Sequence, residues 1–365
     1  MIYEFGQRLR AALADTGSGV ELVCWGLPAG MPVDAEAMTG AVAAMGPWEA
    51  MPARDPGMPR ILSGVCGGVT TGEPLVLGLA GGSAPAPQGL LPFRPSENDL
   101  GLWAKWGGGV RRPDACRTMA LLAALGGICR AALAGLGIVM GTHIAQCGDV
   151  RDAELPECDV EELRAQLSGL EGRALPMLDS EGAEALQALL EEARAGGDTL
   201  GGTLETAVVC LPAGLGRPDA CGVEAGLARN LFALPGVKGV EFGMGFGFAY
   251  LCGSEANDQL VAEDRRIGTK SNLSGGADGG LTNGMPLIFR TVFRPEPAVA
   301  ARQQTVDPAT LEERELTLDG PYDTMAFCRA RGAVEGVTAA VLLDLLLERR
   351  ADRWPCGCVG DEEAR

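Results

Sequence analysis

GVKGVEFGMGFGFAYLCGSEAND (residues 236–258) and TKSNLSGGADGGLTNGMPLIFRTVFRPEP (residues 269–297) decide the fold. In the first stretch apolar side chains alternate with polar ones or with glycine. That pattern predicts a strand running through residues 236–253, its glycines marking close backbone approach. In the second stretch the doublets Gly275/Gly276 and Gly279/Gly280, followed by Asn283 and Gly284, predict tight loops leading into an apolar strand.

Outward from this pair the chain reads as alternating sheet and helix. Upstream, residues 203–211 form a strand, the PAGLGRPDA loop follows, and a helix covers residues 223–234. Residues 180–195 have the period of an amphipathic helix, and acidic residues dominate 149–171. Residues 119–136 are apolar nearly all round, which predicts a buried helix, and 138–150 continue as a strand. In the N-terminal half, residues 20–32 read as a strand closed by a Pro-Gly turn. A helix over 33–45 follows, with Asp34 as its cap. Residues 61–79 give two short strands around TTGEP, and GGSAPAPQG (81–89) is a loop. A helix over 334–350 closes the domain. Strands precede helices in both halves, so the class is α+β, layered, with two similar halves. One domain spans residues 1–350, and residues 351–365 form an acidic tail.

Composition narrows the partners. The 365 residues carry 30 basic and 48 acidic side chains, a net charge of −18. That field opposes nucleic acid and anionic membrane. It is screened beyond about 8 Å at physiological salt, so a local arginine cluster remains able to hold an anion. The 12 cysteines lack paired metal spacing, so no metal is expected. The start, MIYEFGQRLR, has no leader character, and reduced thiols in the cytoplasm are expected. The tail pair Cys356 and Cys358 has two readings, a redox or metal pair and a frayed end. The apolar stretch 119–140 is interrupted by Arg130 and glycines, which argues against a membrane span.

The two glycine-rich segments resemble the C-terminal half of the chorismate synthase family. FGQRLR (5–10), GLPAGMP (26–32), ILSGVCGGVTTGEP (61–74) and FRPSENDLGLWAKWG (93–107) follow the order of its N-terminal half. The resemblance covers roughly residues 5–347 and implies a layered β-α-β sandwich. It also implies the family's reaction, loss of phosphate from 5-enolpyruvylshikimate 3-phosphate to give chorismate, with reduced FMN as cofactor. A homo-oligomer, by family a tetramer, is implied as well.

The resemblance assigns residues one by one. Asn272, Gly275, Gly276, Gly279, Gly280 and Asn283 fall on the family's cofactor loops, although glycines there also serve merely to make turns. Arg294 stands where the family has a lysine beside proline, and keeps a positive charge for the FMN phosphate. GPYDTMAFCRARGAVEGV (320–337) aligns with the family's Gly-Arg-His-Asp segment, with Pro321 and Tyr322 in place of the Arg-His pair. Asp323 matches its aspartate, a proton-handling group in the family, with a helix cap or turn as the other reading. Arg329 also matches, as a substrate contact.

The substrate side departs from the pattern. The first family histidine falls at Thr16 or Ser18, depending on a short gap, and the second falls at Glu97 in RPSEND, with Asp99 retained. The family's arginine run falls on Ala44, Met45 and Gly46, ahead of Pro47. GGGVRRPDACRT (107–118) keeps only Arg117 and Arg112 as substrate contacts. Guanidinium contacts contribute about 1.5–3 kcal/mol each, so these losses cost several decades of affinity for a trianion. His143, the one histidine, lies on a strand away from both motifs and reads as structural.

Three readings follow. One is the family's flavin-dependent phosphate lyase. Another is a paralogue that binds flavin or another ligand without turnover, or pairs with an intact homologue. The third is an enzyme for a less anionic substrate, with Glu97 as its acid or base near Arg94 and Lys105. Site chemistry weighs towards the last two; the whole-chain resemblance supports the first.

Overall fold

The computed structural model describes residues 1–15, 19–46, 55–81, 92–107, 115–156, 158–170, 172–219, 221–263, 266–318 and 322–352. Two five-stranded antiparallel sheets enclose a layer of helices. The chain opens with β1 (Ile2–Glu4), β2 (Arg10–Asp15) and β3 (Gly19–Trp25), then α1 (Ala35–Ala43). Next come β4 (Arg60–Ser63), the small ribbon β5 (Val65–Cys66) and β6 (Val69–Thr70), and β7 (Leu75–Ala80). The first sheet has the order β1-β2-β3-β7-β4. α1 starts where Asp34 accepts hydrogen bonds from the N–H groups of Glu36 and Ala37, both 2.9 Å, as the cap reading expects.

After α2 (Asp99–Trp106) comes α3 (Ala115–Ala134), the predicted buried helix, followed by β8 (Val139–Cys147) and β9 (Val150–Arg151). α4 (Val160–Gly169) and α5 (Ser180–Ala195) lead to β10 (Gly202–Val209), α6 (Val223–Leu231) and β11 (Val237–Phe242). The short helix α7 (Gly253–Ala256) precedes the ribbon β12 (Leu260–Glu263) and β13 (Arg266–Thr269), then β14 (Ala277–Asp278), β15 (Leu281–Thr282) and β16 (Leu287–Phe293). The ribbon β17 (Gln303–Val306) and β18 (Glu313–Leu316) leads to α8 (Ala326–Asp352). The second sheet has the order β11-β16-β10-β8-β9.

The helix layer owes its thickness to missing side chains. Where α3 meets α8, a Cβ on Gly126 would lie 2.0 Å from the Cα of Gly336. The two backbones therefore touch, and Leu121, Leu122, Leu125, Val337, Val341 and Leu342 close around the contact. Asp344, fully buried on α8, accepts from the N–H groups of Gln7 and Arg8, both 2.9 Å, and from that of Leu9. This ties the β1–β2 turn to the last helix. α3 is long and apolar enough to cross a membrane, yet it is the core helix of this layer.

Three expectations need correction. Strand geometry ends at Phe242, not near residue 253; the chain then turns through Gly243 and Gly245, both at positive φ, into a 3₁₀ turn, Gly245–Tyr250. A Cβ on Gly243 would lie 2.0 Å from the carbonyl of Leu273, so a loop crosses where the alternation promised more strand. α8 begins eight residues before 334, because Phe327, Ala330 and Ala333 extend its buried face across the intervening arginines. The acidic stretch 149–171 contains α4, capped by Asp159. Of the tail, Ala351 and Asp352 continue α8, and the rest lies outside the described residues, as do residues 82–89 of the predicted loop.

Candidate active site

Loop 94–99 is clamped on itself. Asp99 accepts from the N–H of Arg94 at 2.9 Å and from its guanidinium Nε at 3.1 Å, and Glu97 N–H donates to the Arg94 carbonyl at 3.2 Å. The clamp holds Ser96 at φ +61°, a left-handed conformation uncommon outside glycine. Its carbonyl accepts a 2.6 Å hydrogen bond from Nη1 of Arg294, just beyond β16. The start of the loop is pinned to β17, through Phe93 and Val306.

Facing this loop, Asp323 pairs with Arg329 through two 2.7 Å hydrogen bonds, and both side chains are largely buried. Burial opposes the guanidinium charge, but the pair with Asp323 outweighs it and raises the pKa of Arg329. The Arg329 pair engages both carboxylate oxygens of Asp323.

Between them lies a cleft of about 450 Å³. Its charged lining is Glu97, Lys238, Arg294, Glu296, Asp323 and Arg329, three cations and three carboxylates. Met119, Val237, Phe293 and Phe327 supply apolar wall. The volume is that of a pocket for a drug-sized ligand. An apolar wall with cations beside it is also the donor set that a flat ring bearing a phosphate requires, so the cleft fits FMN in kind.

The expected site residues are thus divided. Glu97, Arg294, Asp323 and Arg329 share this cleft. Arg117 starts α3 beside the cleft, but its guanidinium lies against Gly81, away from the lining. Arg112, Thr16, Ser18 and Pro47 lie outside the described residues. Met45, where the arginine run was sought, is fully buried in the core.

The glycine loops lie elsewhere. Cβ atoms on Gly275, Gly276 and Gly280 would strike the backbone of Gly243, Pro286 and Arg217 respectively, at 2.2–2.4 Å. These three glycines let the loops pack backbone against backbone. Gly279 faces open space, and Asn283 lines a separate cavity of about 350 Å³ with Asp258, Ser274 and Asp278. Asn272 is buried and donates to the Pro286 carbonyl at 2.8 Å. Burial would raise the pKa of Asp258, but hydrogen bonds from Ser271, Ser274 and Leu273 outweigh that and lower it.

Lys238, on β11, also lines the cleft; its place in the strand period is legible in the sequence, its direction is not. His143 lines neither cavity and is buried between Asp152 and Glu205. Among the described residues no group of three or more His, Cys, Asp or Glu is placed to hold a metal ion.

Comparison with known proteins gives one answer. Residues 14–347 match the family profile described as chorismate synthase. The chain is 38% identical over 349 residues to the chorismate synthase of Aeropyrum pernix, covering 92% of this chain and 90% of that protein. It is 36% identical to that of Thermococcus gammatolerans, covering 92% and 94%, and 30% identical to that of Lancefieldella parvula, covering 97% of both. A crystal structure of a chorismate synthase superposes with a TM-score of 0.73 at 24% identity, covering 94% of this chain and 93% of that one, a likeness of fold.

Proposed function

The chain belongs to the chorismate synthase family, and from that premise we propose that its cleft is a flavin-dependent phosphate-lyase site working at a reduced rate. The observation that carries this is the convergence of Glu97, Arg294, Asp323 and Arg329 from both halves of the chain on one cleft. The reaction is the family's elimination of phosphate from 5-enolpyruvylshikimate 3-phosphate to give chorismate.

Reduced FMN, when bound, lends electron density to the breaking C–O bond and takes it back. The chain's own residues bind and orient. Lys238 and Arg294 offer cations to phosphate or carboxylate, while Phe293 and Phe327 give the ring an apolar wall. Asp323, held by Arg329, presents a fixed carboxylate to handle a proton. Glu97 stands where the family has imidazole. A carboxyl group is a poorer proton donor near neutrality, and a well-placed general acid or base contributes about 10²–10⁴ in rate. Turnover is therefore lower by about that factor than in a histidine-bearing relative.

A second reading is a paralogue that binds flavin or another ligand without turnover, or pairs with an intact homologue. The equal number of carboxylates and cations on the lining favours it, as does Met45 in the core. Copies of the chain associate in this proposal, four by family analogy, in the cytoplasm. Phe246, Tyr250, Leu260 and Ile267, each at least 75% exposed, support such association. Titration of the purified protein with FMN, followed by phosphate release with reduced FMN and the family substrate, separates the readings. Binding with slow release supports the first, binding without release the second, and absence of flavin binding removes both flavin readings.

A further inference from the structure

Across the outer face of the second sheet runs a row of alternating charge. The register sets His143 on β8 opposite Glu205 on β10, Glu205 opposite Arg290 on β16, and Arg290 opposite Glu241 on β11. Asp152, just beyond β9, closes the buried end. Nδ1 of His143 is 2.6 Å from Asp152 and Nε2 is 2.9 Å from Glu205. Asp152 also accepts from the N–H groups of Leu178 and Asp179. A neutral imidazole has one N–H and cannot donate to two carboxylates, so with Asp152 and Glu205 both ionised this geometry fits the imidazolium.

Arg290 stands between two carboxylates. Its Nε is 2.9 Å from Glu241 and 4.0 Å from Glu205, and its Nη2 donates to the carbonyl of Gly243 at 2.6 Å. Gly243 opens the turn that ends strand β11. The turn is tied to the glycine loop through Met244 N–H to Leu273 (2.8 Å), and Glu241 accepts from Phe246 N–H at 3.2 Å. The other groups on this face are accounted for. α4 covers it with Leu163 and Leu167, and its Arg164 pairs with Cys210. Glu161 and Glu162 are exposed, Asp179 caps α5, and Arg173 donates to the Met177 carbonyl.

We propose that this row is a pH-operated latch on the Gly243–Tyr250 turn. With His143 charged, it satisfies Glu205, and Arg290 is left to hold Glu241 and the Gly243 carbonyl. With His143 neutral, Glu205 loses its cation, draws Arg290 across the 4.0 Å gap, and the turn is released. Burial opposes the imidazolium, but the hydrogen bonds to Asp152 and Glu205 outweigh it and raise its pKa. The latch is therefore closed below the ordinary imidazole value and opens as pH rises through the raised one.

The single histidine makes the test direct. In ¹⁵N NMR both ring nitrogens should have imidazolium shifts at about pH 6, below the ordinary imidazole value. Amide exchange at Gly243, Met244 and Phe246, corrected for its intrinsic pH dependence, should accelerate about tenfold as that signal titrates. Glu205→Gln removes the competing pull and should stay protected through the same range, while His143→Gln should exchange faster at every pH. A neutral ring at about pH 6, protection that ignores the titration, or Glu205→Gln tracking the parent would overturn the latch. The wild-type NMR and exchange decide it even if a variant fails to fold.

Discussion

At the scale of single residues, the Asp323–Arg329 pair has the largest consequence. Removing one member of a buried pair leaves the other charged and desolvated, which costs roughly 3–5 kcal/mol. Asp323→Ala should lower the unfolding free energy by about 3 kcal/mol in denaturant titration, and adding Arg329→Met should restore most of it. Asp152 and His143 set limits from opposite sides. Burial would raise the Asp152 pKa, but hydrogen bonds from His143, Asp179 and Leu178 lower it. Its contribution is present above the ordinary carboxylate value and lost as pH falls through the lowered one. The raised His143 pKa contributes fully below the ordinary imidazole value and is lost as pH rises through the raised one. Stability against pH should be highest between the ordinary carboxylate and imidazole values; Asp152→Asn should lower that maximum, flatten its acid limb and bring the alkaline limb to lower pH, because His143 loses a carboxylate partner. Much of this was legible in part: the order of motifs brought Glu97, Arg294, Asp323 and Arg329 together. Nothing in one sequence told which side of α3 Arg117 faces, or that Asp152 and Glu205 flank His143, because facing depends on helix phase and strand register.

At the scale of elements, local chemistry predicted what local chemistry governs. The cap Asp34, the apolar run of α3 and the period of α5 were readable, since capping and patterning act within a few residues, while the cap Asp179 was not read. The end of β11 was not readable. Gly243 fits the strand alternation, and only the crossing of the Leu273 carbonyl makes it a turn. A different distant contact, Gly126 against Gly336, governs the α3–α8 crossing. Gly336→Ala would press a methyl into the backbone of Leu122, 2.4 Å from its carbonyl oxygen, in a fully packed layer. Overpacking of this kind costs about 1–3 kcal/mol, so thermal unfolding should shift downward for Gly336→Ala. Gly279→Ala makes a poor control because its φ is +59°. Gly40→Ala, on α1 with open space around it, should leave stability unchanged or raise it.

At the scale of the whole molecule, the two sheets and their helix layer bring both halves of the chain to one cleft. Conservation of that scaffold does not by itself preserve chemistry. The cleft is lined by apolar side chains beside three cations and three carboxylates, and in the proposed function its proton-handling groups are carboxylates. The central claim is that the family's site survives with its proton donors weakened, and Glu97→His tests it most directly. Phosphate release should be followed anaerobically with reduced FMN and 5-enolpyruvylshikimate 3-phosphate. The account predicts slow, flavin-dependent release by the parent and release at least about tenfold faster in the variant. Fast release by the parent that ignores the substitution, or no release from either protein, would contradict it.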